Sequence, residues 1–464
     1  MQDLILFLCV FECFSFTCKK NHVIVLREVI HVKIGFISLG CSKNLVDSEK
    51  MMGMLKSGNH ELVHNADEAE AIIINTCGFI NSAKEEAIQT IFKMAEYKKH
   101  NCKRLIVVGC LAQRYKEELE KEIPEIDAVI SIKEYPHLHE ILAQLLDGKD
   151  LVSYNKCERL VSSKPWTAYL KIAEGCSNRC TYCAIPLIRG GNVSFPIEKL
   201  VEDAKELANK GVKELVLIAQ DTTKYGVDLY GKRSLLDLLK KVHEIEGFHW
   251  IRILYMYPDE IDDELIEGMA QLPKVVPYFD IPMQHANNRM LELMNRRGHK
   301  EDVLELCKKI RSTFAYPTLR TTFIVGFPTE SDEDFADLMQ FVEDVHWDRM
   351  GAFTYSPEED TPAYSMSGAV DEDVKQKRLE TLMARQEEIS LENQRKMIGE
   401  VVEVLVEDQE GLTGKYRGRG KSSAPDEVDG IVIFTSDRFI EFGSFVKVRI
   451  TDALPHDLIG VEEC

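Results

Sequence analysis

Histidine is missing from the whole stretch between His139 and His243, and tryptophan occurs only three times in 464 residues. Basic charge is short as well: 57 Lys and Arg stand against 77 Asp and Glu, for a net charge of −20. Proteins that grip a bare nucleic-acid backbone do so with Lys and Arg set against phosphates, so that task is excluded as the main one. The markedly apolar stretch Leu4 to Phe16 is broken by Glu12 and falls short of the ~20 residues that span a bilayer. It has neither a basic leader nor a small-residue cleavage site, so no export and no membrane partner is expected, and the protein is placed in the cytoplasm. A clean strand pattern begins only at Val32-Lys33-Ile34. Residues 1–32 are therefore expected to be an extension outside the fold, a start-site artefact or, as the alternative, a small membrane-contact segment.

Cysteine, by contrast, is plentiful. Thirteen thiols, an odd number, in a chain without an export signal read as reduced cysteines and metal ligands, not as a disulfide framework. Cys176-Ser-Asn-Arg-Cys180-Thr-Tyr-Cys183 places three of them within eight residues, spaced CxxxCxxC. Three sulfurs hold one side of an iron–sulfur cluster and leave one iron open, where a small molecule can bind and be activated. Structural zinc is the competing reading, but it takes four Cys or His ligands, and the missing histidines leave no fourth nearby.

A chain of this length exceeds the ~250 to 300 residues at which one core stops growing, so two or three domains are expected. Residues 33–150 alternate short apolar runs with helical periodicity, the pattern of a parallel sheet in an α/β domain. Strands are predicted over Lys33-Ser38, Ala71-Thr76 and Arg104-Gly109, leading into Cys41, Cys77 and Cys110. Parallel strands put their C-terminal ends on one sheet edge, where open α/β folds bind ligands. These cysteines, 36 and 33 residues apart, can therefore converge as a second three-thiol site. The bland alternative is that buried cysteines merely fill strand ends. Cys102, Cys157, Cys307 and Cys464 show no such placement and read as ordinary.

A polar linker is expected over 151–165. From 166 to 396, six strand runs near Ala168-Ala173, Lys213-Ala219, Trp250-Met256, Tyr278-Met283, Leu319-Val325 and Arg349-Tyr355 alternate with helices such as Pro196-Asn209, Ser234-Ile245 and Asp332-Val345. This predicts an open or partial (βα)-barrel of six units with its active site in the loops after the strands. CxxxCxxC follows the first of them. Gln220 and Asp221 follow the second, Gln284 and His285 the fourth, and Gly326-Phe327-Pro328 the fifth. Gln, Asp and His supply hydrogen-bonding groups there and Gly allows close approach, although Gly-Phe-Pro is also a good turn and His285 could be a buried structural histidine. The charged helix from about Asp371 to Met397 reads as a connector or brace. Residues 397–464, with runs at Val401-Val406, Ile431-Phe434 and Phe445-Ile450, read as a small five-stranded β-barrel. Gly420-Lys421-Ser422 is no phosphate loop, because Lys415 occupies the required glycine position.

CxxxCxxC with Tyr182 before its last cysteine resembles the radical S-adenosylmethionine (SAM) enzymes. Together with Cys41, Cys77 and Cys110 and a C-terminal barrel of the TRAM kind, residues 33–464 resemble the methylthiotransferases. One branch of that family modifies an adenosine of transfer RNA. The other modifies an aspartate of the twelfth protein of the small ribosomal subunit. Ser38-Leu-Gly-Cys41-Ser-Lys-Asn-Leu-Val-Asp47-Ser-Glu49 is similar to the aspartate branch, as are Ile281-Pro-Met-Gln284-His285-Ala and the run from Asp348 to Glu359. Ala424-Pro-Asp-Glu-Val-Asp429-Gly430 departs from the pattern by one extra acidic residue.

The resemblance implies two 4Fe-4S clusters. The one on Cys176, Cys180 and Cys183 would bind SAM and release a 5′-deoxyadenosyl radical; the one on Cys41, Cys77 and Cys110 would supply sulfur. Tyr182 and the strand-end residues Gln220, Asp221, Gln284, His285, Gly326 and Pro328 would line the cofactor site, and a reducing donor such as flavodoxin or ferredoxin is implied. Charge favours the aspartate branch independently. Residues 397–464 hold 14 Asp and Glu against 7 Lys and Arg, a net −7, which repels phosphate and attracts a basic ribosomal protein. No direct transfer RNA binding is expected; methylthiolation of a transfer RNA adenosine is the alternative, and a non-catalytic iron–sulfur carrier the more distant one.

Overall fold

The structure is a computed structural model that describes residues 31–146, 151–411, 414–425 and 428–463. The expected extension thus lies outside the described residues up to position 30, as does Cys464. Five parallel strands form the first sheet: β1 (Lys33–Ser38), β2 (Glu61–Val63), β3 (Ala71–Thr76), β4 (Arg104–Gly109) and β5 (Ala128–Ile130), in the order β2-β1-β3-β4-β5. Every residue of β3 is buried, because apolar clusters cover both faces of the sheet, as a parallel sheet requires. β2 and β5 escape sequence reading because three residues carry no period. The segment expected as a linker is no free tether. Leu151 and Tyr154 join the core of this sheet, and Glu49 accepts from Arg159 Nε (2.6 Å) and the Ser162 backbone (2.7 Å).

The central region begins with β6 (Thr167–Lys171) and a short antiparallel pair, β7 (Ala173–Glu174) and β8 (Val193–Ser194). It continues with β9 (Glu214–Ile218), β10 (Trp250–Ile253), β11 (Tyr278–Asp280), β12 (Thr318–Val325) and β13 (Arg349–Thr354). The six expected barrel strands are β6 and β9 to β13. They form two parallel three-stranded sheets, β6-β9-β10 and β11-β12-β13, joined at a seam by the bridge between Ile251 and Val275, with β6 and β13 as outer edges. Helices pack outside them in the largest core cluster. The helix Asp332–Val345 shows how its bounds are encoded. Ser331 and Asp334 form a capping box at its start, and His346 ends it in the left-handed region at φ 57°.

The last region is a closed barrel of β14 (Val401–Gln409), β15 (Lys415–Arg419), β16 (Val432–Thr435), β17 (Phe445–Ala453) and β18 (Leu458–Glu462). Closure leaves no exposed sheet edge. It docks on the N-terminal ends of the central strands, away from their ligand-binding ends. Glu214, the first residue of β9, is fully buried and accepts from Arg252 (2.9 Å) and Arg419 (2.5 Å). Tyr278 donates to Asp429 (2.6 Å), and Trp250 packs edge-on against Phe445. The helix Glu372–Arg395 acts as the brace, its Gln394 donating to the His456 carbonyl (2.8 Å). Among the described residues no helix is long and apolar enough to cross a membrane.

Candidate iron–sulfur site

β1, β3 and β4 are direct neighbours, so their C-terminal ends bring Cys41, Cys77 and Cys110 together. Cys41 caps the helix Ser42–Ser57, Cys77 follows β3 directly, and Cys110 opens the helix Cys110–Arg114. The thiols sense one another in every pairing: Cys41 and Cys77 each act on Cys110, and Cys41 acts on Cys77. Gly40 permits the approach, since at φ +87° a side chain there would bring its Cβ within 2.8 Å of Cys77 Cβ. Burial pushes the Cys110 thiol up to about 11 despite the nearby Arg189, and raises Cys77 as well. Burial also opposes ionisation of Cys41, but Lys43 and Arg189 outweigh it and hold that thiol below its ordinary value. Cys41 is exposed, whereas Cys77 and Cys110 are buried.

The CxxxCxxC loop follows β7. Gly175 turns it at φ +72°, and Cys176 N bonds to the Gly190 carbonyl (3.0 Å). Thr181 fastens its middle to the Leu293 and Met294 carbonyls (2.8 and 3.0 Å). Asn178 donates to Asp221 at the end of β9 (2.7 Å). Arg296 reaches Cys180 Sγ (3.8 Å) and the Tyr182 hydroxyl (3.3 Å) from behind. Burial pushes Cys176 up to about 11 and Cys183 up to about 12, with Cys180 adding to both. Without iron these thiols keep their protons, and loading must release them.

Arg189, six residues after Cys183, reaches the strand-edge trio. It donates to Cys110 Sγ (3.4 Å) and Asn44 Oδ1 (2.5 Å), and its other nitrogen reaches Asp47 (3.1 Å) and Glu174 (2.8 Å). Cys110 packs on Ala184, the residue next to Cys183. A second contact between the same regions runs through buried Glu358, which accepts from Lys84 (3.0 Å) and Arg114 (2.9 Å). Sequence reading missed Arg189, Asn44, Arg296 and Glu358 as joints. Only the unusual polarity of Asp47, Glu174 and Arg189 beside apolar strands could have signalled them.

The other expected residues divide. Asp221 is buried and holds the loop, while Gln220 donates to Glu174 (3.2 Å) and leaves its Oε1 buried without a partner. Gln284 is left-handed at φ 71° and tied by its backbone to Thr322 and Ile324. His285 is fully buried behind the strand ends, its Nδ1 accepting from Asn287 N (3.0 Å) and its Nε2 3.6 Å from Glu330, which in turn holds Gly326 N (2.7 Å). Pro328 is buried too, and Tyr182 packs against the cluster that contains Phe327. The close approach expected of Gly326 is made by the chain itself: a Cβ there would lie 2.2 Å from Lys375 Cγ. Cys102 and Cys307 are core residues.

Among the described residues no group of three or more His, Cys, Asp or Glu side chains is gathered as a single-ion site would need. All-thiol donor sets, mutually coupled and without histidine, suit iron–sulfur clusters.

Residues 33–131 match the Uncharacterized protein family UPF0004, residues 170–342 the Radical SAM superfamily and residues 398–462 the TRAM domain. The backbone is similar to the radical SAM methyltransferase TsrM of Kitasatospora setae, solved with cobalamin and a [4Fe-4S] cluster. The TM-score is 0.53 at 11% identity, over 72% of this chain and 74% of that one, a likeness of fold alone. Fold and site thus define a radical SAM enzyme, a class that uses SAM and a 4Fe-4S cluster. Ribosomal protein uS12 methylthiotransferase RimO of Caldicellulosiruptor saccharolyticus is 49% identical over 439 residues, 92% of this chain and 99% of its own length. RimO of Clostridioides difficile is 50% identical over 438 residues, 92% of this chain and 98% of its own. The chain belongs to this RimO family of methylthiotransferases.

Proposed function

We propose that the protein inserts a methylthio group at the β-carbon of an aspartate in uS12, the twelfth protein of the small ribosomal subunit. One observation carries the reading: Arg189, six residues after the first trio, bonds to Cys110 of the second, and Cys110 lies in one apolar cluster with Ala184, the residue next to Cys183. When loaded, the cluster on Cys176, Cys180 and Cys183 supplies with SAM a 5′-deoxyadenosyl radical, which suits an aspartate β-carbon because that carbon has no good polar route to sulfur. We assign Cys41, Cys77 and Cys110 as ligands of a second 4Fe-4S cluster, the source of the sulfur.

The chain's own part is orientation. Asp221 and Arg296 hold the first loop through Asn178, Cys180 and Tyr182. Arg189 holds Cys110 and Asn44 toward it. We assign Tyr182, Gln220, Asp221, Gln284 and the Gly326–Pro328 loop to the SAM pocket, with His285 supporting that loop through Glu330 from behind. The acidic small barrel suits a basic ribosomal protein and disfavours direct transfer RNA binding. Its substrate places the reaction in the cytoplasm, with a reduced flavodoxin or ferredoxin as donor. Intact-mass analysis of uS12 from cells with and without this gene is expected to show one methylthio increment only with it. Purified enzyme that methylthiolates transfer RNA and leaves uS12 unchanged would refute the assignment.

A further inference from the structure

Arg296 is a buried cation whose contacts include no carboxylate. It is 8% exposed; its Nη2 donates to the Pro282 carbonyl (2.6 Å), while Nη1 reaches the Tyr182 hydroxyl (3.3 Å) and Cys180 Sγ (3.8 Å). The guanidinium lies 4.2 Å from the centre of the Tyr257 ring. Arg189, Arg252, Arg378 and Arg419 are at least as deeply buried, and each reaches a carboxylate. Burying an unpaired cation is costly. Burial raises the Tyr182 hydroxyl and pushes Tyr257 up to about 12, so both rings stay neutral. Of these contacts, the Cys180 sulfur is the one that becomes an anion, when iron takes the place of its proton.

The charge is fixed in place. Arg296 N donates to the Leu291 carbonyl (2.8 Å), and Asn295, left-handed at φ 52°, fastens the same turn to the CxxxCxxC loop by donating to the Arg179 carbonyl (2.9 Å). The guanidinium also acts on Cys183, where it opposes the rise that burial imposes on that thiol. One cation therefore serves two of the three sulfurs. Reducing a cluster held by them adds one negative charge, and the potential of such a cluster follows the charge around it and the hydrogen bonds its sulfurs accept. A buried cation at this range favours the more negative state.

We propose that Arg296, acting through the Cys180 sulfur, raises the reduction potential of the cluster on Cys176, Cys180 and Cys183 and so eases its reduction by the donor. The step moves one electron from donor to cluster, and the guanidinium keeps its protons throughout. The inference rests on the assignment of these three ligands and is independent of the uS12 reading. Its test is a potentiometric titration of the anaerobically reconstituted protein without SAM, followed by electron paramagnetic resonance. The signal that Cys180→Ala removes identifies the cluster. Arg296→Met is expected to lower the equilibrium constant for reducing it at least about tenfold, about 59 mV for one electron. Iron per chain should stay at the wild-type level, because Asn178 and Thr181 still fasten the loop. Arg296→Lys keeps the charge, and its midpoint should lie closer to that of the wild type. An unchanged midpoint in Arg296→Met, or an equal fall in both variants, overturns the proposal. Loss of iron from Arg296→Met would make the residue a clamp of the loop and equally overturn it. If Cys180→Ala removes no signal, the ligand assignment falls, and this inference with it.

Discussion

Arg189 Nη2 lies 3.4 Å from the sulfur of Cys110, so a residue belonging to the CxxxCxxC region reaches the strand-edge trio of the other sheet. The same guanidinium neutralises Asp47 and Glu174. Replacing it by Met leaves two carboxylates against Lys171 alone. Breaking a buried pair in this way costs about 3–5 kcal/mol. Arg189→Met is expected to melt earlier and to lose iron from the strand-edge trio, as thermal melts and iron counts after reconstitution will show.

The two trios should separate by function. Cys180→Ala is expected to abolish reductive cleavage of SAM, read as 5′-deoxyadenosine. Cys77→Ala is expected to retain cleavage and to leave uS12 unmodified in intact-mass spectra. Cleavage that persists in Cys180→Ala contradicts the assignment.

Gly40 separates Cys41 from Cys77 by its lack of a side chain. In Gly40→Ala the new Cβ meets Cys77 Cβ at 2.8 Å and sits at φ +87°, which L residues disfavour by about 1–2 kcal/mol. The two thiols must then move apart. Iron bound per chain is expected to fall toward that of one cluster, whereas SAM cleavage continues.

Acid should weaken the joint where the small barrel docks. Burial pushes the Glu214 carboxyl up, but Arg419 and Arg252 outweigh it and hold it at about 2, below its ordinary 4.5. A depressed carboxyl stabilises the fold above its unfolded value and loses that contribution as pH falls through the folded one. Stability worth about 3 kcal/mol should therefore disappear between pH 4.5 and 2. Trp250 packs beside this joint on Phe445, and its fluorescence during acid titration should report the loss. Glu214→Gln should flatten that acid limb and lower stability at neutral pH, because Arg252 and Arg419 lose their shared counter-charge.

Much of the architecture was legible along the chain because its signals are local. Six barrel strands, the helix Asp332–Val345 and three strands of the small barrel, β14, β16 and β17, follow from periodicity and turn residues within short windows. β2 and β5 were not legible, since three-residue strands exist only through their neighbours. At the site, CxxxCxxC could be read by spacing alone. His285 and Gly326 could be noticed, but not that Glu330 backs the one or that the stem of Lys375 fills the space beside the other.

The sequence by itself determined which atoms are available: six thiols in two patterns, no histidine between His139 and His243, and an acidic barrel. Tertiary structure decided which of them meet. β1, β3 and β4 became neighbours through sheet order, Arg189 found Cys110 across 79 positions, and Lys43 came to rest on the Tyr255 ring. Periodicity is a short-range property of the chain. The pairing of buried charges is settled only when separate elements pack and exclude water between them.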